Sequence, residues 1–307
     1  MEQLFNIDFK RINSSNDKEA ADRKKNFELF LKGGFPNKKN ENWKFSDLNN
    51  IISKNFKNIT NNDDYKFHEK IDSINDFDHN KVILVNGSLK SSDLHFEEKG
   101  KVKIETLKSL EGFHHQSKNN LDYLNKALSI GGFNLEVQQN YKCKKPIVIY
   151  NYFTANLNNK IINNSNKIKV RQNSELTLIE YNISKKSKFI KNTFEKIYID
   201  KGAVLKNVIL QKTKCNGYFY KNISGIQDFN SSYQNFILSS GLKFNKIEID
   251  MNLEKEKSSC HILSGLNLSK EEHQEIKTQI NHMAPNCKSY QKIKNVLEGD
   301  SLSLIHI

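Results

Sequence analysis

The sequence predicts a mainly β protein in which many short strands follow a smaller N-terminal region of helices and strands. From about residue 133 onward, short runs rich in β-branched and aromatic residues follow one another. Turn signals such as Asn216-Gly217 separate these runs, and no long helical pattern lies between them. Such a series is typical of a sandwich, a barrel or a solenoid. We find no clean internal repeat that would choose among the three.

The N-terminal region combines two helical patterns with short strands. Apolar residues at helical spacing predict a helix over residues 17–32, with Asn16 or Asp17 as its cap. Gly33-Gly34 ends it, because glycine tolerates the left-handed conformation at a helix end. The remaining predictions are a polar loop over 55–80, strands over 82–85 and 101–104, and a helix over 119–130.

The β region shows its clearest alternation at Ile247, Ile249, Met251 and Leu253. Alternate residues of a strand point to the same face, so these four side chains are expected on one buried face. Further strands are predicted over residues 133–137, 146–150, 167–170, 175–181, 196–199, 204–210 and 218–223.

The formal charge of +13 raises the question of a nucleic-acid partner. Only Arg11, Arg23 and Arg171 are arginines, although arginine is the usual reader of guanine edges, and the lysines are scattered. No run reaches the ~20 apolar residues that cross a bilayer, and the N-terminus does not resemble a signal peptide. We therefore expect a cytoplasmic protein with neither a nucleic-acid nor a membrane partner.

The residues that could carry chemistry form no known catalytic motif. Cys143, Cys215, Cys260 and Cys287 are far apart in the sequence, which favours reduced structural thiols. The adjacent pair His114-His115 fits a solvated loop, and His261, His273 and His282 fit hydrogen-bonded structural histidines better than metal ligands. No phosphate-binding loop, nucleophile elbow or zinc-protease motif occurs, so no catalytic or cofactor-binding residue is assigned.

Two segments resemble the SufB/SufD family of iron–sulfur cluster assembly scaffold proteins. Residues 36–48, here the Trp43 segment, resemble a Glu-x-Trp-Lys-Tyr-Thr-Asp-Leu element. Residues 273–297, here the His273 segment, resemble the core signature, with Glu275 at the usual aspartate and Asn295 at the usual glycine. Leu263-Ser264-Gly265-Leu266 resembles the stretch that precedes this signature, and Lys246 stands where the family often has arginine. The signature residues are Trp43, Lys44, Asp47, Leu48, Gly265, His273, Thr278, His282, Pro285 and Ser289.

The resemblance implies a right-handed parallel β-helix preceded by a small helical and mixed domain. It implies a non-catalytic scaffold whose partners are a SufB-like subunit and a SufC-like ATPase that supplies hydrolysis. No bound cofactor is expected; an iron–sulfur cluster is expected only as a transient product of the complex. The Trp43 segment favours the SufD branch. The alternatives are a SufB-like paralogue, a β-helix carbohydrate-active enzyme using acids such as Asp228 and Glu248, and a nonspecific nucleic-acid binder.

The expected division is an N-terminal domain over residues 1–118, a β-helix core over 119–301 and a tail over 302–307. The tail matches the translated end of an adaptor used in DNA library preparation, so native sequence is expected to end near Ser301 and His306 is not counted as functional. Family members continue into further coils and an ATPase-docking segment. We therefore expect an uncapped solenoid end, so that the chain expressed alone aggregates or needs a solubilising partner. Without the docking segment we also expect no binding of the SufC-like ATPase.

Overall fold

A computed structural model describes residues 4–9, 12, 17–61, 71–107, 120–212 and 215–306. The chain is 54% strand and 15% helix, and its strands form a parallel β-solenoid of about six turns. This confirms the mainly β fold with a small helical N-terminal region and selects the solenoid among the three architectures that the strand pattern allows. His114-His115, Asn16 and Arg11 lie outside the described residues.

Three α-helices occur in the described part of the N-terminal region. They are α1 (Asp17–Gly33), α2 (Leu48–Asn55) and α3 (Asn120–Leu128), so both predicted helices are confirmed and α2 is additional. Gly34 follows α1 with a φ of 67°, as the helix end requires. α1 packs against α3, where Arg23 donates to the carbonyl oxygens of Ala127 and Ser129 at 3.2 and 2.8 Å. No helix in these ranges is long and apolar enough to span a membrane.

Five short strands accompany these helices: β1 (Phe5–Asn6), β2 (Ile59–Asn61), β3 (Asn80–Val85), β4 (Ser88–Asp93) and β5 (Val102–Thr106). β3 and β4 form an antiparallel hairpin through Asn86 and Gly87, whose φ values of 50° and 85° suit a tight two-residue turn. β2 corrects part of the predicted loop over 55–80. Its polar flanks hide it in the sequence, although Ile59 is fully buried.

The solenoid strands alternate between two parallel sheets. The strands are β6 (Phe133–Val137), β7 (Ile147–Phe153), β8 (Lys160–Val170), β9 (Glu175–Ser184), β10 (Lys188–Ile199), β11 (Val204–Gln211), β12 (Cys215–Gln227), β13 (Ser232–Ser240), β14 (Leu242–Leu253), β15 (Ser259–Ser269), β16 (His273–His282), β17 (Lys288–Glu298) and β18 (Leu302–His306). The first sheet has the order β1-β2-β8-β10-β12-β14-β16-β18, and β6 lies beside β8. The second sheet has the order β17-β15-β13-β11-β9-β7-β3-β4.

The pairing register between neighbouring strands shows a repeat that residue identities do not show. Ile190, Tyr218, Phe244 and His273 lie opposite one another in successive coils of the first sheet. These aligned side chains differ in size and polarity, so the repeat exists in the backbone rather than in residue identity. The domain boundaries at residues 118 and 301 stay predictions.

The solenoid interior is filled by inward-facing apolar side chains. Ile247, Ile249, Met251 and Leu253 are all buried in this core, which confirms the predicted strand face. The first halves of β10, β12 and β14 are buried on both faces. Their outer face joins a second apolar cluster with the N-terminal helices. The N-terminal region therefore lies flat against the first sheet.

Candidate functional site

The Trp43 segment packs on the outer face of the first sheet. Trp43 ends a short 3-10 turn (Glu41–Trp43) and is 1% exposed. Its ring centroid lies 5.5 Å from that of Tyr220 on β12 and 4.2 Å from Nζ of Lys246 on β14. A desolvated ammonium over an indole face is strongly attracted to the ring. This contact therefore joins the Trp43 segment to the solenoid.

A buried ion pair continues this contact. Lys246 is fully buried and Glu275, its neighbour on β16, is 2% exposed; Nζ of Lys246 lies 2.6 Å from Oε1 of Glu275 and 3.6 Å from Oε1 of Glu248. Nζ also donates to the carbonyl oxygen of Asn42 at 2.5 Å, and Lys277 donates to the Asn42 side chain. The N-terminal segment thus supplies a hydrogen bond that the buried ammonium group of Lys246 needs.

Ser46 and His273 join the two signature segments directly. Ser46 is fully buried; its hydroxyl lies 2.8 Å from Nε2 of His273 and donates to Oε2 of Glu275. A hydroxyl has one hydrogen, so Ser46 accepts from His273 and Nε2 carries the proton. Burial lowers the pKa of His273 to about 4, against the opposing effect of Glu275. The imidazole is therefore neutral at pH 7.

This geometry differs from that of a Ser-His-acid catalytic triad. In a triad the imidazole accepts the serine proton and the carboxylate holds the imidazole. Here Ser46 donates to Glu275 instead, and its burial keeps the hydroxyl away from any substrate. The arrangement therefore suits a buried polar contact that fixes the orientation of two parts of the chain.

The remaining signature residues of the Trp43 segment have local structural roles. Asp47 caps α2 by accepting a hydrogen bond from the backbone N–H of Asn50 at 2.9 Å. Leu48 is buried in the outer apolar cluster. Lys44 is exposed, and its ammonium lies 5.6 Å from the Phe45 ring centroid.

The other signature residues lie away from this contact, on the last coils. Thr278 points inward and donates to Gln291 on β17. His282 is exposed, and its Nε2 lies 3.0 Å from Oγ of Ser289; Pro285 is exposed in the turn between β16 and β17. A Cβ at Gly265 would meet only Leu238 at an ordinary 3.5 Å, so packing does not demand glycine there. The signature residues therefore lie in two places: in and beside the buried contact that joins the Trp43 segment to His273, and on the last coils.

A second charged cluster lies inside the solenoid, where the sequence analysis predicts no site. Glu180, Lys191, Glu195 and Lys221 all point inward from adjacent coils and are less than a tenth exposed. Nζ of Lys191 lies 3.5 Å from Glu180 and 5.1 Å from the Phe153 ring centroid. Nζ of Lys221 lies 3.2 Å from Oε2 of Glu195 and also donates to Glu180. Two positive and two negative groups make the cluster neutral.

The charges of the inner cluster favour the ionised forms of Glu180 and Lys221. Burial alone would raise the pKa of Glu180, but Lys221 and Lys191 outweigh burial and lower it to about 2. Burial opposes the charged form of Lys221 too, yet its two carboxylate neighbours raise its pKa. For Lys191 burial dominates and lowers the pKa. Lys221 therefore holds the cluster together, since it pairs with both carboxylates.

In the part of the chain that the structure describes, the cysteines and histidines do not converge. All four cysteines are free thiols, and burial raises the pKa of Cys143 and of Cys260 to about 12. Within the described ranges no three histidine, cysteine or acidic side chains come close enough to hold a metal ion. Glu248 lies opposite Asn222 on β12, whereas Asp228 follows the end of that strand. The two acids named for a β-helix enzyme thus belong to different parts of the coil.

In the sequence, Lys246, Glu275 and Ser46 stand out only as departures from the family pattern, and none of them has an assigned role. Sequence reasoning misses the inner cluster, because an isolated lysine in a strand pattern normally faces solvent. The only available signal is that Lys191 and Lys221 occupy inward positions of their strands. Recognising it requires the coil register.

Fold and site together define a β-solenoid protein whose N-terminal region is fixed on one sheet by a buried polar contact. Two family models match the chain. "SUF system FeS cluster assembly, SufBD core domain" covers residues 152–306, and "SufBD protein N-terminal region" covers residues 2–149. The chain belongs to the SufBD family of the SUF system for iron–sulfur cluster assembly. Among curated proteins, none matches the chain.

Proposed function

We propose that this protein is the SufD-type, non-catalytic scaffold subunit of a cytoplasmic iron–sulfur cluster assembly complex. Its proposed partners are a SufB-like subunit and a SufC-like ATPase, and the cluster is cargo that forms transiently on the complex. The observation that carries the proposal is the buried contact between the Trp43 and His273 segments, through Ser46 and His273. Such a contact fixes the N-terminal region on the first sheet through buried side chains, which supports a structural role for the signature residues that form it.

The second sheet offers a surface for a protein partner. Phe236 on β13 and Leu263 on β15 lie opposite each other in register and are 40% and 39% exposed on the outer face. Exposed neighbouring apolar side chains are typical of interaction surfaces. They support a role in assembly with other subunits.

Co-purification tests the proposal. The tagged chain is co-expressed with the untagged SufB-like, SufC-like and SufD-like proteins of the same organism, and the captured complex is analysed by size-exclusion chromatography with light scattering. We expect a complex that contains the SufB-like subunit, with ATP hydrolysis only when the SufC-like protein is present. Recovery of a SufD-like subunit instead would assign the chain to the SufB branch. Failure to recover either paralogue would contradict the scaffold proposal.

A further inference from the structure

A recess lies at the corner where each coil passes from the second sheet to the first. Residues 185–187 connect β9 to β10, and residues 270–272 connect β15 to β16. Gly241 alone connects β13 to β14, in the coil that precedes the turn of residues 270–272. It adopts a φ of 80°, which glycine adopts readily. The recess that Gly241 lines, here called the Gly241 recess, extends along this corner from Lys186 to Glu272.

The Gly241 recess has a volume of about 220 Å³. A water molecule occupies roughly 30 Å³ of liquid, so the recess has room for a larger ligand. Its lining includes Lys186, Lys243 and Lys270, which come from three different coils. Cys215, whose backbone N–H donates to the Gly241 carbonyl oxygen at 2.9 Å, lies at its inner side.

The charges of the three lysines have no partner among the described residues. Within the described part of the chain, none of their ammonium groups takes part in an ion pair or a side-chain hydrogen bond. The one acid in the lining is Glu272, whose carboxylate accepts hydrogen bonds from the backbone N–H and hydroxyl of Ser269 at 3.1 and 3.4 Å. Three ammonium groups and one carboxylate leave the recess positive.

We propose that the Gly241 recess binds a phosphate-class oxyanion, either free phosphate or sulfate or the phosphate group of a small molecule. Lysine binds such groups as a point charge, and ammonium groups from three coils would surround an anion with several equivalent oxygens. The excess of positive charge in the lining suits a dianion better than a single carboxylate. This site is independent of the proposed scaffold function, because it involves neither signature segment.

Calorimetric titration of the 307-residue chain with sodium phosphate, in chloride buffer at constant ionic strength, tests the site. We expect Lys243→Gln and Lys270→Gln each to weaken phosphate binding about tenfold, as expected for loss of a hydrogen bond to a charged group. Glu272→Gln should strengthen binding, since it removes the opposing charge. The matched control is Lys255→Gln, which removes an exposed lysine at the opposite end of β14 and should leave the affinity unchanged.

A local readout separates a defined site from diffuse attraction to a basic protein. Phosphate should shift the amide resonance of Gly241 in a saturable way in the wild type and not in Lys243→Gln, while both proteins keep the same melting temperature. Absence of phosphate binding would overturn the proposal. Equal weakening by Lys255→Gln and Lys243→Gln would overturn it as well, because the attraction would then come from net charge alone.

Discussion

Replacing Glu275 by glutamine should destabilise the protein by about 3 kcal/mol. Glu275 is 2% exposed and its partner Lys246 is fully buried, with 2.6 Å between their charged atoms. Removing one partner of a buried pair leaves an uncompensated charge and costs roughly 3–5 kcal/mol. Glu248 still lies 3.6 Å from the Lys246 ammonium, so the lower end of that range applies.

Urea unfolding followed by tryptophan fluorescence measures this loss. Trp43 is the only tryptophan in the chain, and its ring centroid lies 4.2 Å from the Lys246 ammonium, so its emission reports the contact itself. The matched control is Glu98→Gln, which breaks the Glu98–Lys144 pair at 3.3 Å, in which both side chains are 54% exposed. Exposed pairs contribute only about 0–1 kcal/mol.

A triple variant, Lys246→Met with Glu248→Gln and Glu275→Gln, distinguishes an unpaired charge from a loss of packing. Glu248 is included because it also lies 3.6 Å from the Lys246 ammonium and would otherwise be left as an unpaired buried carboxylate. Replacing all members of a buried ionic group by uncharged side chains is often nearly neutral, so the triple variant should recover most of the stability that Glu275→Gln loses. The reasoning is refuted if Glu275→Gln is no less stable than Glu98→Gln. It is also refuted if the triple variant is less stable than Glu275→Gln.

Three further predictions concern other buried groups. The pKa of His273 is about 4 in the folded chain and about 6.5 when unfolded. The free energy of unfolding should therefore contain the full contribution of neutral His273 above pH 6.5 and fall by about 3 kcal/mol as the pH drops towards 4. His273→Gln should flatten this dependence of urea unfolding on pH; an unchanged slope would contradict the assignment. Glu180→Gln removes the carboxylate that pairs with Lys191 and leaves Lys221 paired with Glu195 alone, so it should cost about 3 kcal/mol in the same assay. The exposed control Glu254→Gln should cost under about 0.5 kcal/mol; equal costs would refute the inner cluster. Burial raises the pKa of Cys143 and of Cys260 to about 12, so iodoacetamide at pH 8 should modify both, by mass spectrometry, only after unfolding; rapid modification in the native chain would contradict this.

Local sequence signals predict much of the fold because they depend on neighbouring residues. Gly33-Gly34 marks the end of α1, Asn86-Gly87 marks a hairpin turn, and the alternation from Ile247 to Leu253 marks a buried face. β8 begins at Lys160, well before the predicted residue 167, because its first half is rich in asparagine. Those asparagines are buried between the solenoid interior and the N-terminal helices, which no local pattern shows.

The sequence by itself determined the strand-rich region, the N-terminal helices and, through two resembling segments, the family. Only the tertiary structure decided which charged residues are buried together. Lys246 and Glu275 are 29 residues apart in the chain, and Ser46 and Glu275 are 229 apart, yet all three meet at one contact. Coils of slightly unequal length set which side chains stack, and that register is fixed jointly by the inward-facing apolar pattern and the turn lengths of neighbouring coils. The pairing of buried charges therefore depends on the folded solenoid.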